Sequence, residues 1–138
     1  MAGTVLVDAG FLIALLSRRD RHHPWAAAQS PHFARPWKTC EAALSEAFHL
    51  LGTEGERALA ALLLRRAVVP AFDLGREIEG VLNLMRKYAS VPMGLADGCL
   101  VRMTELVPDM VLLTTDADFR IYRRNGRQII RIRTPADF

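Results

Sequence analysis

Apolar and polar positions along this chain fall into a few short continuous hydrophobic runs separated by amphipathic stretches. The first run, Val5-Leu6-Val7, has two β-branched residues out of three and predicts a short strand buried on both faces. It stops on Asp8. After Ala9-Gly10 comes Phe11-Leu12-Ile13-Ala14-Leu15-Leu16, a helix-forming stretch closed by the polar Ser17-Arg18-Arg19-Asp20. A buried strand, a turn and a helix open an α/β sheet, and such sheets bind ligands in the crevice beyond the strand carboxyl ends. Asp8 falls at that crevice. The competing assignment is an ordinary N-cap for the following helix.

The pattern continues to alternate. Asp20 to Pro24 is a polar loop, with Pro24 suited to the first turn of a helix from Trp25 to about Ser30. Phe33 to Lys38 reads as a short strand with its leading loop. Thr39 is placed to cap a helix over Cys40 to Leu51, with Glu41 in its first turn. Gly52-Thr53 separates that helix from another over Glu54 to Arg66. Val68 to Phe72 predicts a strand whose Pro70 assigns it to an end or an edge. A helix follows over Leu74 to Tyr88, with Ile78, Val81, Leu82 and Met85 as its apolar stripe. Pro92-Met93-Gly94 introduces another, striped by Ala96, Cys99, Leu100, Met103 and Val107. Met110 to Thr115 is the second clear buried strand, and Gln128 to Arg133 a last one after an Asn125-Gly126 turn. Short connections between alternating strands and helices predict a mainly parallel sheet flanked by helices, centred on Val5–Val7 and Val111–Leu113.

Composition narrows the class. A chain of 138 residues is one domain with room for a real core, and 51% hydrophobic with 24% charged residues is ordinary for a globular protein. No stretch approaches the roughly 18 apolar residues of a membrane span, and no signal peptide is apparent. Two cysteines without metal-ligand spacing, Cys40 and Cys99, fit a reduced cytoplasm and read as small buried hydrophobes. The net charge of +3 and pI near 9.3 point toward a polyanionic partner.

The chemistry lies in the acids. Both central strands end in carboxylates, Asp8 after the first and Asp116 and Asp118 after the second. Asp97 falls in the first turn of its helix, where complementing the helix dipole would explain it alone. Glu46 falls mid-helix among apolar neighbours, where a solvated face would explain it alone. Four of them, Asp8, Glu46, Asp97 and Asp116, should converge on one crevice. Two carboxylates about 5 Å apart at an effective dielectric near 20 repel by roughly 3 kcal/mol. Something must neutralise such a cluster, and the ordinary candidate is a hard divalent cation with oxygen ligands.

Val7-Asp8, Ser45-Glu46, Leu95-Ala96-Asp97 and Leu113-Thr114-Thr115-Asp116-Ala117-Asp118-Phe119 together resemble the PIN domain, and in particular the VapC-type toxins of prokaryotic toxin–antitoxin pairs. The resemblance spans almost the whole chain. It implies a three-layer α/β/α fold and a Mg²⁺- or Mn²⁺-dependent endoribonuclease. It further implies a cognate antitoxin as partner and a homodimer by family habit. The family's acids fall on Asp8, Glu46, Asp97 and Asp116, with Asp118 a further acid. Asp8, Asp97 and Asp116 are then the metal ligands, and Glu46 holds a water or serves as general base. The chain departs from the family at Ala9, where Thr or Ser is common, and Thr114 and Thr115 are placed to supply a hydroxyl from the other strand. A degenerate module that binds RNA or a protein partner without cutting is the alternative. A phosphatase of another acid-cluster fold would need a suitably placed lysine, and Lys38 and Lys87 are the only two.

Other features are secondary. His22-His23 read as loop and helix-start residues, and Trp25 and Trp37 as core or partner-contact residues. The arginines Arg120, Arg123, Arg124, Arg127, Arg131 and Arg133 follow directly on Asp116 and Asp118. They either grip RNA phosphates, Arg120, Arg123 and Arg124 foremost, or form a solvated edge.

Overall fold

The computed structural model describes residues 3–135. Its strands are β1 (Thr4–Val7), β2 (Trp37–Thr39), β3 (Val68–Pro70), β4 (Met110–Leu113), β5 (Arg123–Arg124), β6 (Gln128–Ile129) and β7 (Ile132–Arg133). Its helices are α1 (Ala9–Leu16), α2 (His23–Gln29), α3 (Glu41–Leu50), α4 (Thr53–Leu64), α5 (Leu74–Lys87) and α6 (Leu95–Leu106). Five strands form one parallel sheet in the order β3-β2-β1-β4-β7. Right-handed crossovers between parallel strands put α1–α4 on one face and α5 and α6 on the other. This is the expected three-layer α/β/α arrangement.

The two continuous apolar runs became the centre of the sheet because helices cover them on both faces. Leu6, Val7, Leu112 and Leu113 are wholly buried, in register Leu6↔Leu112 and Val7↔Leu113. Each such side chain contributes about 1.5–3 kcal/mol by leaving water. β3 is an edge strand, as Pro70 required. Among the described residues no helix is long and apolar enough to cross a membrane.

Three expectations give way. Thr39 does not cap α3: it is the last residue of β2, its hydroxyl donates to the Val7 carbonyl at 2.7 Å, and Cys40 takes the cap position. The strand expected over Gln128 to Arg133 is two. Gln128–Ile129 pairs antiparallel with Arg123–Arg124 around the turn at Asn125 and Gly126, both of positive φ. The chain then turns in at buried Ile130, and Ile132–Arg133 joins β4. On α5 the inward stripe is Leu74, Val81, Leu84, Met85 and Tyr88, while Ile78 and Leu82 are exposed.

Candidate active site

The carboxyl ends of β1 and β4, the first turns of α1 and α6 and the middle of α3 meet at one crevice of about 260 Å³. Asp8, Glu46, Asp97 and Asp116 all line it, together with Ala9, Gly10, Ile13, Leu50, Ala96 and Leu100. None of these is a lysine or an arginine. A wider groove of about 620 Å³, bordered by Glu41, Phe72, Arg76, Glu77 and Leu106, lies apart from the acids.

Each acid is held by the element that carries it. Asp8 terminates β1 at 5% exposure and does cap α1, its Oδ1 accepting the Phe11 N–H at 2.7 Å. Its Oδ2 accepts the Thr114 hydroxyl. The Thr114 oxygen in turn accepts the Asp116 N–H at 2.9 Å, and Asp116 Oδ1 accepts the Asp118 N–H at 2.9 Å, closing the 3₁₀ turn over Ala117–Arg120. A hydroxyl from β4 therefore stands where Ala9 offers none. Gly10 lets this edge close up, since a Cβ there would collide with Thr115 Oγ1. Asp97, half-buried, accepts the Gly94 N–H at 3.1 Å across the first turn of α6, and Glu46 is the exposed member of the group.

The electrostatics follow from burial. Asp8 is pushed up from the ordinary 3.8 to about 7, chiefly by burial and also by Asp116 and Asp97; the bonds from Thr114 and Phe11 restrain the rise. Asp97 is pushed up to about 6, again chiefly by burial, with Asp116, Glu46 and Asp118 adding repulsion against the restraint of Gly94. Asp118 is raised by burial and by Asp116. It lies on the 3₁₀ turn outside the residues lining the crevice, yet near enough to raise Asp97.

Two of the arginines are engaged by backbone carbonyls. The Arg123 guanidinium donates to the carbonyls of Arg120, Ile121 and Tyr122, closing the turn that follows Asp118. Arg124 donates to the Val107 carbonyl and ties the β5–β6 hairpin to α6. Arg120 is exposed. Of the conspicuous aromatics, Trp37 is buried at 1% exposure and Trp25 is half-buried, with both rings edge-on to Phe11. His23 begins α2 with Nδ1 2.8 Å from the Ala14 carbonyl oxygen.

Nothing in the sequence singles out Tyr122. Its ring is buried between Tyr88 and Phe119, and its hydroxyl donates to the Pro92 carbonyl at 3.4 Å. Burial pushes the pKa of its hydroxyl up, and so do the charges of Asp97, Asp118 and Asp116. It thus packs beneath the acids and braces the segment that leads into Asp97. No local pattern announces such a residue.

Four acids thus line one crevice at the carboxyl end of a five-stranded parallel sheet. A solved structure that the chain matches is VapC20 of Mycobacterium tuberculosis, a sarcin–ricin loop cleaving toxin, with a TM-score of 0.72 and 18% identity over 83% of this chain and 92% of that one. No protein-family model matches the chain, and no curated protein matches it by sequence. At that identity the likeness is one of fold, and the fold is that of the VapC-type PIN domain.

Whether the crevice suits a divalent ion can be judged from its donors. Carboxylate oxygens are the donors hard cations prefer, and four carboxylates face one cavity without a cationic side chain to balance them. Among the described residues no three His, Cys, Asp or Glu side chains stand close enough together to hold an ion as they are placed. The donor chemistry is that of a hard cation such as Mg²⁺, which takes oxygen ligands and keeps several waters.

Proposed function

We propose that this protein is a metal-dependent endoribonuclease, the toxin of a toxin–antitoxin pair. The observation that carries the reading is the shared crevice of Asp8, Glu46, Asp97 and Asp116. The VapC-type fold supports it, because the solved relative is an RNA-cleaving toxin. A cytoplasmic homodimer restrained by a cognate antitoxin protein completes the proposal.

Asp8, Asp97 and Asp116 would hold Mg²⁺ or Mn²⁺, which when bound supplies charge neutralisation for the phosphoryl oxygens and acidifies a water. The chain's own part is orientation. Phe11 N–H and the Thr114 hydroxyl fix both oxygens of Asp8, so that carboxylate cannot rotate away from the crevice. Gly94 fixes one oxygen of Asp97, a residue that lines the crevice. Glu46, exposed and least constrained, is placed to accept the proton of an attacking water.

Purified protein free of any partner, incubated with total RNA, tests this directly. Discrete cleavage with Mg²⁺ or Mn²⁺ that stops in excess chelator is the expected result. Cleavage undiminished by chelator would remove the metal mechanism. Intact RNA with retained RNA binding would make the chain a non-cutting module.

A further inference from the structure

A second cavity, of about 500 Å³, is lined by Trp25, Gln29, His32, Phe33, Arg133 and Thr134. Its two walls come from distant parts of the chain, α2 with the following turn on one side and the end of β7 on the other. The lining is chemically mixed in a particular way. Trp25 and Phe33 are half-buried rings, Gln29 and His32 carry hydrogen-bonding edges, and Arg133 is an exposed cation at the mouth. Thr134 adds a buried hydroxyl that has no hydrogen-bond partner among the described residues, and leaving such a group unpaired is costly.

Both walls lead back to Asp8. Trp25 packs edge-on against Phe11, with ring centroids 5.8 Å apart, and the Phe11 N–H holds Asp8 Oδ1. The Arg133 carbonyl accepts the Thr114 N–H at 3.0 Å, and the Thr114 hydroxyl holds Asp8 Oδ2. Adjacent strands are about 4.8 Å apart, so the β7 wall is one strand from the residue that clasps the candidate catalytic acid.

We propose that this cavity is a nucleotide subsite, taking one unstacked base of a single-stranded RNA segment next to the scissile bond. The inference rests on the ribonuclease reading above and adds the place where a flanking nucleotide is held. Sequence-selective RNA recognition works on splayed bases that stack on aromatic rings and are hydrogen-bonded along their edges. Trp25 and Phe33 provide stacking surface, Gln29, His32 and the Thr134 hydroxyl provide edge contacts, and Arg133 provides a partner for the phosphate. The volume lies within the range of small-ligand pockets. A base seated there would rest on walls that reach Asp8 through Phe11 on one side and Thr114 on the other.

Tryptophan fluorescence of the full chain tests this in chelator, where nothing is cut. Trp37 is buried at 1% exposure, so contact quenching by a nucleotide reports on Trp25. Titration with each of the four ribonucleoside 5′-monophosphates should give saturable quenching by at least one, and inorganic phosphate should give none. Thr134→Val should weaken that binding about fivefold and Arg133→Gln at least tenfold, with melting midpoints no lower than the parent's. With an RNA substrate both changes should raise KM and leave kcat nearly unchanged.

The subsite is overturned if no mononucleotide quenches, if phosphate quenches equally, or if Thr134→Val melts higher while binding unchanged. The last result would mark the hydroxyl as merely buried. Quenching in a chain that cuts no RNA would retain the pocket and remove the nuclease reading. An active nuclease with silent Trp25 would do the opposite.

Discussion

Thr114 donates its hydroxyl to Asp8 Oδ2 while accepting the backbone N–H of Asp116 at 2.9 Å, so one oxygen sets the positions of two acids. Thr114→Val keeps the shape and removes both bonds. The Asp116 N–H then loses its partner, and Asp8 loses the bond that most restrains its raised ionisation. Stability should fall by about 1–3 kcal/mol, and the pH at which cleavage reaches half its maximum should move upward. Thr114→Ser should restore both. Melts and pH–rate profiles of the two variants check this, and a Val variant with the parent's profile would leave Thr114 a packing residue.

The metal-free protein should become less stable as pH rises. In the folded state Asp8 keeps its proton up to about 7 and Asp97 up to about 6, against an ordinary 3.8. Across that window the folded state binds more protons than the unfolded one, so stability declines with pH and levels off above about 7. Asp8→Asn removes the larger contribution. Urea unfolding in chelator at pH 5 and pH 8 should show a smaller loss for the variant than for the parent.

Metal should reverse the trend. Ligand carboxylates must be deprotonated, so Mn²⁺ affinity should strengthen as pH rises through about 6 to 7, with protons released on binding. Calorimetric titrations in buffers of different ionisation enthalpy would detect that release.

Asp97→Asn separates a shared site from a helix-end residue. The amide can still accept from Gly94 N–H, while the repulsion from Asp116, Glu46 and Asp118 disappears. The chelated variant should be at least as stable as the parent, gaining on the order of 1 kcal/mol after solvent screening. It should lose cleavage and the upward Mn²⁺ shift of the melting midpoint. A less stable variant with an intact Mn²⁺ shift would exclude Asp97 from any metal site.

Arg123 and Arg124 should matter for folding rather than for phosphate. Their guanidiniums serve backbone carbonyls, so Arg123→Ala with Arg124→Ala should cost about 2–4 kcal/mol. The salt dependence of RNA binding should keep its slope. Had the two arginines neutralised phosphates, the slope would flatten by roughly one unit for each arginine removed.

Much of this site was legible because its acids mark the ends of the most strongly patterned elements. Asp8 and Asp116 follow buried runs that could only be central strands, and Asp97 opens a helix whose stripe is plain. What stayed hidden depends on partners far away in sequence. Thr39 has the chemistry of a cap, but the Val7 carbonyl, 32 positions earlier, captures its hydroxyl. Clustered arginines look the same in sequence whether they meet phosphate or carbonyl, and the carbonyl bonds of Arg123 and Arg124 depend on the path of the turn after Asp118. Ile78 and Leu82 fit a helical stripe, yet α5 turns a different face inward. The expectation of one domain over 1–138 extends past both ends of the described residues, 3–135.

The clasp between Thr114 and Asp8 joins residues 106 positions apart. During synthesis Asp8 therefore waits for the hydroxyl that orients it until Thr114 has been made. β1, later the middle of the sheet, waits with one edge open until β4 has emerged to pair with it. The crevice of acids cannot close until β4 and Thr114 have emerged. Long-range closure, which ordinarily makes folding slow, here ties completion of the candidate site to the pairing of β1 with β4.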